Sequence, residues 1–269
     1  MRLLPMTIPD RQRLIAGSLA TKPKPDERTD LTDFFGNLAT SVLFRAAHDE
    51  LEIHMQARIQ VDAQPVTADF SPKLEQLPLE LNEVWDMGAR SPHHFLSPSP
   101  RLPDDKDIAA YSRKSLQPGK TIRELASDIC ARIYTDFAYD PKATTVDTTP
   151  AEAFKLKKGV CQDFSHIMIV GLRSLGIPAG YVSGFLRTIP PPGKERLEGA
   201  DAMHAWVKVW CGRTTGWLEY DPTNNMLASG DHIVVGYGRD YADVAPVIGV
   251  VKSYGNQKTE QAVDVIPVK

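Results

Sequence analysis

One short stretch, Gly159–Phe164 (sequence GVCQDF), limits what this chain can fold into more than any other. Apolar positions then recur at helical spacing, at Phe164, Ile167, Met168, Gly171, Leu172 and Leu175. This i, i+3, i+4, i+7 pattern predicts a helix that buries one face, and Gly176 followed by Pro178 predicts its end. Cys161 is therefore expected in the first turn, where free N–H groups and the helix dipole stabilise a thiolate.

Cys161 has two interpretations at this point. A thiol at a helix N-terminus is suited to be a nucleophile, whereas a free cysteine is more commonly a buried structural residue. Cys130 and Cys211 are the only other cysteines, and three are too few and too irregularly spaced for a disulfide framework or a zinc knuckle. Cys130 lies in a second predicted helix and is expected to pack rather than react.

The composition is that of an ordinary soluble globular protein, with 42% apolar and 24% charged residues among 269. A net charge of −3 without a lysine- or arginine-rich block gives no electrostatic basis for binding nucleic acid. Met1–Pro5 lacks the apolar core of a signal peptide, and no stretch approaches the ~18 apolar residues of a membrane span. We therefore expect a cytoplasmic protein with no nucleic-acid or membrane partner.

Residues 1–100 are expected to form an N-terminal β-rich domain. Leu38–Leu43 and Leu51–Val61 are its clearest strands, and in the second of them apolar and polar residues alternate strictly. That alternation predicts a half-buried antiparallel strand with His54 on its solvated face. The proline-rich stretch from Asp62 to Pro103 is expected to contain the junction with the next domain.

Residues 101–269 are expected to form the second domain, which begins with helices. Thr121–Glu124 is a Thr-x-x-Glu capping box that starts a helix ending near Asp136. Thr149–Glu152 is a second capping box, with proline at the first helical position. This second, shorter helix should end by Gly159, just before Cys161.

Strands should dominate the rest of the chain. They are predicted at Ala179–Leu186, Met203–Cys211, Trp217–Tyr220, His232–Val235, Val247–Val251 and Ala262–Val268. Gly212–Gly216 suits a hairpin loop between two of them. Thr188–Ala200 lies between strands of the predicted sheet, which makes it a candidate for a wall of an active-site cleft.

The predicted hairpin brings a histidine and a carboxylate together. In an antiparallel pair the start of one strand lies beside the end of the other, so His204 should lie opposite residues 221–224. Asp221 could then hold the imidazole by one ring nitrogen while the other faces Cys161, which is a Cys-His-Asp triad. An imidazolium next to the thiol would favour the thiolate further. Taken singly, His204 also fits a satisfied strand histidine and Asp221 a turn former.

Several segments together resemble the bacterial branch of the transglutaminase-like superfamily that carries an N-terminal β region. The matching segments are Gly159–Asp163, Asp201–Val207, Asp221–Asn224, His232–Gly236 and Gly238–Tyr241. The first three correspond to the family's motifs around its Cys, His and Asp, and the spacings of 43 and 17 residues also fit. The resemblance covers roughly residues 30–269 and is most specific over residues 159–241.

This resemblance implies an α+β, papain-like core in which the nucleophile helix packs on an antiparallel sheet. It implies Cys161 as the nucleophile, His204 as the general base and acid, and Asp221 as the orienting carboxylate. The expected reaction is acyl transfer from a peptide or side-chain amide through a thioester, by hydrolysis (protease or amidase) or by transamidation, without a cofactor or metal ion. A catalytically silent module of the same fold that binds proteins or peptides is the alternative.

Other site residues follow less directly from the resemblance. Animal relatives use an upstream tryptophan as oxyanion donor, and Tyr139 occupies a comparable place here, although a phenol packed for structure fits equally well. The backbone N–H of Cys161 and the residue Gln162 are further candidates for oxyanion or substrate contacts. Arg239–Tyr241 either edges the site or forms a salt-bridged turn. Family members usually begin with one more strand, so an unpaired N-terminal sheet edge is expected, and the oligomeric state stays open.

Overall fold

The computed structural model describes residues 1–62, 68–188 and 202–268, and its N-terminal part is made of paired strands. These strands are β1 (Gln12–Lys22), β2 (Glu27–Thr32), β3 (Leu38–Leu43) and β4 (Glu52–Val61). β1 pairs antiparallel with β4, and β2 pairs antiparallel with β3. In β4 the apolar side chains are half-buried and the alternating polar ones exposed, His54 among them, as the sequence predicts.

Helices dominate the next part of the chain, and the two with predicted capping boxes begin directly after Thr121 and Thr149. The elements in chain order are α1 (Leu77–Asn82), α2 (Lys106–Arg113), α3 (Ile122–Asp136), β5 (Ala138–Tyr139), α4 (Pro150–Leu156), β6 (Lys158–Gly159) and α5 (Cys161–Ser174). Both capping boxes are formed, with the Thr121 hydroxyl accepting from the Glu124 N–H at 3.2 Å and Thr149 accepting from Glu152 at 3.3 Å. None of the described helices is long and apolar enough to span a lipid bilayer.

The second half of the chain forms a five-stranded antiparallel sheet in the order β10-β9-β8-β7-β11. Its elements are β7 (Ala179–Leu186), β8 (Ala202–Trp210), α6 (Gly212–Thr215), β9 (Trp217–Asp221), β10 (Met226–Leu227), β11 (His232–Gly238) and α7 (Tyr241–Val244). β7, β8 and β9 lie within one or two residues of their predicted bounds. The fold is therefore a mixed helix-and-sheet core preceded by an N-terminal β region.

The connection between β8 and β9 differs from the expected open loop because Gly212–Thr215 closes into one helical turn. Gly212 and Gly216 have φ values of +89° and +72°, a region that favours glycine. A Cβ on Gly212 would also lie 2.4 Å from Pro72 Cδ. The hairpin register is nevertheless the predicted one, running from the Trp210–Trp217 pair to Val207–Tyr220.

The two strands predicted in the tail, Val247–Val251 and Ala262–Val268, are wrong, since the described residues there form no strand. Alternating apolar residues make a strand only where a sheet edge is free to pair. The outer edge of β11 is already used by the N-terminal segment. Met6 N–H donates to the Val234 carbonyl at 3.3 Å, and the Gln12 side chain bonds both Val234 N–H and carbonyl at 2.8 and 2.7 Å.

The core lies between α5 and the sheet, and the predicted apolar face of α5 is buried there. Gly171 allows α2 to approach α5, because a Cβ there would lie 2.1 Å from Ser112 Oγ. A smaller cluster on the sheet joins Met6 and Ile8 to Trp206 and its apolar neighbours Val182 and Val234, so the N-terminal segment shares a core with the five-stranded sheet. A domain boundary near residue 100 stays a prediction, and the predicted cleft wall at Thr188–Ala200 lies outside the described residues beyond Thr188.

Candidate active site

Cys161 is the first residue of α5, and a hydrogen-bonded corner holds it there. The Asp163 carboxylate accepts from the Val160 N–H at 2.8 Å and from the Thr144 hydroxyl at 2.6 Å. Gly159 is required beside it, because a Cβ at that position would lie 2.5 Å from Asp163 Oδ2. Cys161 is half-buried, and its backbone N–H is one of those that a helix start leaves without an intrahelical acceptor.

The hairpin brings His204 on β8 to Asp221 at the end of β9. His204 Nε2 lies 2.8 Å from Asp221 Oδ2, so Nδ1 is the ring nitrogen left to face the thiol. Asp221 is fully buried and the His204 side chain nearly so. Residues predicted from three separate segments therefore lie together: His204, Asp221 and, at the start of α5, Cys161.

Asp221 has a second histidine partner that the sequence did not indicate. His232, at the start of β11, is fully buried and places Nε2 3.1 Å from the same Oδ2 oxygen. Asn224 Nδ2 also donates to Oδ2 at 2.7 Å, while Oδ1 accepts from the N–H groups of Thr223 and Asn224 at 2.9 and 3.2 Å. Five donors thus hold one carboxylate in place.

The charges of the group are set by these contacts. Burial works against an imidazolium at His204, but hydrogen bonds to Asp221 and to Cys161 outweigh it and raise the pKa of His204 to about 10. Burial alone would raise the pKa of Asp221, yet the donors from His204 and His232 lower it well below its usual range. Both shifts favour a carboxylate–imidazolium pair next to the thiol, which is the arrangement that stabilises a thiolate.

His204, Asp221 and His232 also offer ligand atoms within 4.8 Å of one another, close enough to surround a metal ion. In this structure both ring nitrogens point at one carboxylate oxygen rather than at a common empty point. His232 Nδ1 is itself occupied by the Ser229 N–H at 3.2 Å. The three side chains are therefore joined by hydrogen bonds through Asp221 Oδ2.

Comparison with known proteins identifies the family. The family model described as the transglutaminase-like superfamily matches residues 109–222, and the bacterial transglutaminase-like N-terminal region matches residues 1–60. An uncharacterized protein of Mycobacterium tuberculosis is 38% identical over 264 residues, covering 96% of this chain and 83% of its own length. A Mycobacterium leprae relative is 30% identical over 261 residues, covering 95% of this chain and 87% of its own.

The chain belongs to the transglutaminase-like superfamily. A crystal structure from Cytophaga hutchinsonii, provisionally described as a cysteine protease, shares the fold with a TM-score of 0.70 and 21% identity. It covers 91% of this chain and 76% of that one. The match to an N-terminal region and a core in one chain agrees with the expected fold class.

Tyr139 lies near Cys161, on the two-residue strand β5. β5 pairs in parallel with β6, which places Tyr139 level with Gly159, two residues before Cys161. Its side chain is 60% exposed, so the alternative of a phenol buried for packing does not apply. Partial burial and the nearby Cys161 raise the pKa of Tyr139, so the phenol stays protonated and able to donate.

The other residues suggested by the family resemblance have structural partners. Gln162 Nε2 donates to the Val146 carbonyl at 3.0 Å, which ties the side chain to the loop before α4. Arg239 forms a bidentate ion pair with Asp243, at 2.9 and 3.0 Å, so the salt-bridged turn is the better description there. Tyr241 follows in that turn and donates its N–H to His166 Nε2 at 3.4 Å.

Two features of the site go beyond the residues predicted from the sequence. Asp163 is predicted only as part of the Gly159–Asp163 motif, although a carboxylate three residues into a helix is a known capping signal that explains its role. His232 carried no such local signal. It lies 11 residues after Asp221, and only the placement of β11 beside β7 brings it within hydrogen-bonding distance of the Asp221 carboxylate.

Proposed function

We propose that the chain is a thiol acyl-transfer enzyme acting on peptide or side-chain amides through Cys161, His204 and Asp221. The observation that carries this is the His204–Asp221 contact of 2.8 Å on the sheet beside a thiol at the α5 N-terminus. A nucleophile, a base and a group that orients the base are the parts that covalent acyl transfer requires.

In the proposed reaction the Cys161 sulfur attacks the acyl carbon of the amide, forming the carbon–sulfur bond. The carbon–nitrogen bond then breaks, and the His204 imidazolium gives its proton to the departing amine. Water or a second amine next attacks the thioester and loses a proton to His204, and the thiolate leaves. Hydrolysis and transamidation share these steps and differ only in the acceptor that reaches the thioester.

The oxyanion needs donors, and two groups have positions that support this role. The Cys161 N–H lies at the helix start, and Tyr139 lies on the strand that pairs with the two residues Lys158 and Gly159. A fixed donor of this kind lowers the barrier by about 3 kcal/mol. We propose these two groups as the oxyanion site and a protein or peptide as the substrate.

A reducing, cytoplasmic location forms part of this proposal. Cys130, Cys161 and Cys211 are all free, and an active thiolate must escape oxidation to work. Fluorescent fusions and cell fractionation of the source organism test this. Recovery of the protein in an oxidising compartment would contradict it.

The decisive experiment compares the wild type with Cys161→Ala in two assays. Peptide-library cleavage reports hydrolysis, and incorporation of a labelled amine into casein reports transfer. We expect the activity to disappear in Cys161→Ala and to persist in Cys211→Ala, a matched loss of a buried thiol remote from His204. Activity that survives in Cys161→Ala excludes the mechanism.

Alkylation of the three cysteines in the wild type separates the enzyme from a silent binding module. Burial raises the pKa of Cys130 and of Cys211 to about 12, so both thiols are protonated and shielded at pH 6. Iodoacetamide should therefore modify Cys161 first, as measured by mass spectrometry of peptides. Equal, slow modification of all three cysteines would favour the binding module.

A further inference from the structure

Asp221 Oδ2 carries more donors than an oxygen of a carboxylate normally accommodates. His204, His232 and Asn224 all donate to it, at 2.8, 3.1 and 2.7 Å. Each oxygen of an ionised carboxylate offers about two lone pairs, so three donors must share them. The hold of Asp221 on His204 is therefore weaker than it would be for an oxygen with fewer partners.

The protonation of His232 follows from its two neighbours. The Ser229 N–H donates to His232 Nδ1 at 3.2 Å, so Nδ1 must be unprotonated. The proton then lies on Nε2 and points at Asp221. With Nδ1 accepting and Nε2 donating, His232 serves as a donor to Asp221, and its fully buried ring packs edge-to-face against Trp206 at 5.1 Å and 77°.

The other titratable groups around Asp221 are either protonated or already paired. Cys130 on α3 donates to the Asp221 carbonyl at 3.5 Å, and burial together with the Asp221 charge raises its pKa to about 12. Glu219 on β9 is neutralised by Arg11 in a bidentate pair. Among the described residues the charge felt by His204 thus depends on Cys161 and on the donors to Oδ2.

We propose that His232 is a positioning residue that acts on His204 through Asp221, by holding part of the negative charge of Oδ2. The inference rests on the proposed function, in which His204 is both base and acid. An imidazolium held too tightly by Asp221 would be a poor acid toward the departing amine, because general acid catalysis is best when the pKa lies near the working pH. His232 keeps that acidity within reach and gives up no proton itself.

The test is an NMR titration of the histidine ring nitrogens in a Cys161→Ala background. This background removes the influence of the thiolate on His204 and requires no substrate. In it, the His232 proton should lie on Nε2 and not on Nδ1 while His204 titrates. Detection of a proton on His232 Nδ1 would overturn the proposal without any further variant.

Substitutions in the same background test the direction of the effect. In His232→Leu, Asp221 loses a neutral donor and its charge concentrates on His204, so the pKa of His204 should rise by about half to one pH unit. His232→Gln keeps an N–H donor and should leave the pKa of His204 within about 0.2 unit. Asn224→Ala, in an exposed turn, removes another donor from the same oxygen and should also raise that pKa.

The opposite sign distinguishes a purely structural role. If His232 only holds Asp221 in place, its removal lets the carboxylate move away and the pKa of His204 falls, which would refute the proposal. If His232→Leu does not fold, the tautomer of His232 and the titrations of His232→Gln and Asn224→Ala still decide the matter. These outcomes do not depend on the proposed function, whose failure is read separately from the activity of Cys161→Ala.

Discussion

The buried ion pair between Arg11 and Glu219 allows the sharpest test of how the N-terminal region supports the site. The guanidinium bonds both carboxylate oxygens, with Nη2 to Oε2 at 2.7 Å, and only 17% of the Arg11 side chain and 6% of Glu219 are exposed. Glu219 also accepts from Trp206 Nε1 and from the Tyr237 hydroxyl at 2.9 Å. The perturbation we consider is Arg11→Met.

The expected cost follows from the charge left behind. Removing one partner of a buried pair typically costs about 3–5 kcal/mol. Glu219 can avoid this by taking up a proton, at about 1.4 kcal/mol per pH unit above its unfolded pKa of about 4.3. Protonation therefore costs roughly 4 kcal/mol at pH 7.5 but only about 1 kcal/mol at pH 5. We expect a loss of about 3–4 kcal/mol at pH 7.5 and about 1–2 kcal/mol at pH 5.

The sign of the pH dependence is opposite in the two proteins. In the wild type, burial would raise the pKa of Glu219 but Arg11 lowers it, so this pair stabilises the fold above the unfolded pKa and is lost on acidification. In Arg11→Met the folded pKa is raised, so stability falls as pH rises above the unfolded value. The difference between the proteins must therefore grow from pH 5 to pH 7.5.

Urea unfolding followed by tryptophan fluorescence at the two pH values measures this difference, provided the m-values agree. Arg11→Met combined with Glu219→Gln is the control, because it removes both charges of the pair, while Lys208, opposite Glu219 on β8, stays buried in all three proteins. That double variant should be more stable than Arg11→Met at pH 7.5 and should lack the extra pH dependence. A loss below about 1 kcal/mol at pH 7.5, or an equal loss at both pH values, would refute the reasoning.

Three further predictions concern the site. Alkylation of Cys161 by anionic iodoacetate should slow as pH rises through the pKa of His204 near 10, because the imidazolium that attracts the anion is lost. Neutral iodoacetamide should show no such fall, and identical pH profiles for the two reagents would contradict the pairing of thiolate and imidazolium. Tyr139→Phe should lower turnover by about 10²-fold or more while leaving the alkylation rate of Cys161 unchanged, since alkylation forms no oxyanion. Unaltered turnover would exclude Tyr139 as an oxyanion donor. Gly159→Ala places a methyl group 2.5 Å from the carboxylate that caps α5 and should destabilise the fold by about 1–3 kcal/mol, as measured by urea unfolding. Gly230→Ala, with no atom within 4 Å of the new Cβ, should leave the stability nearly unchanged. Equal effects of the two substitutions would contradict the packing argument.

The helices and the position of Cys161 were predictable because their signals are local. The capping boxes at Thr121 and Thr149 and the end of α5 after Ser174 depend on hydrogen bonds within a few residues of each terminus. The His204–Asp221 contact was predictable for a related reason. A hairpin of fixed register converts a separation of 17 residues into adjacency across two strands.

The errors occurred where a strand depends on a distant partner. Val247–Val251 has the composition of a strand, but the edge of β11 that it could have used is bonded to Met6 and Gln12. Gly212–Gly216 was correctly placed as a connection, yet the helical turn within it depends on packing against Pro72.

The sequence by itself therefore determined which thiol is placed at a helix start, which histidine and carboxylate share a hairpin, and which family motifs surround them. Only the tertiary structure decided what surrounds that trio. His232 reaches Asp221 from a strand on the far side of β7, and Arg11 reaches Glu219 across 208 residues of chain. The physical reason is that capping, periodicity and hairpin register act over short stretches, whereas the partners of a buried charge are chosen by whichever elements the whole fold packs against it.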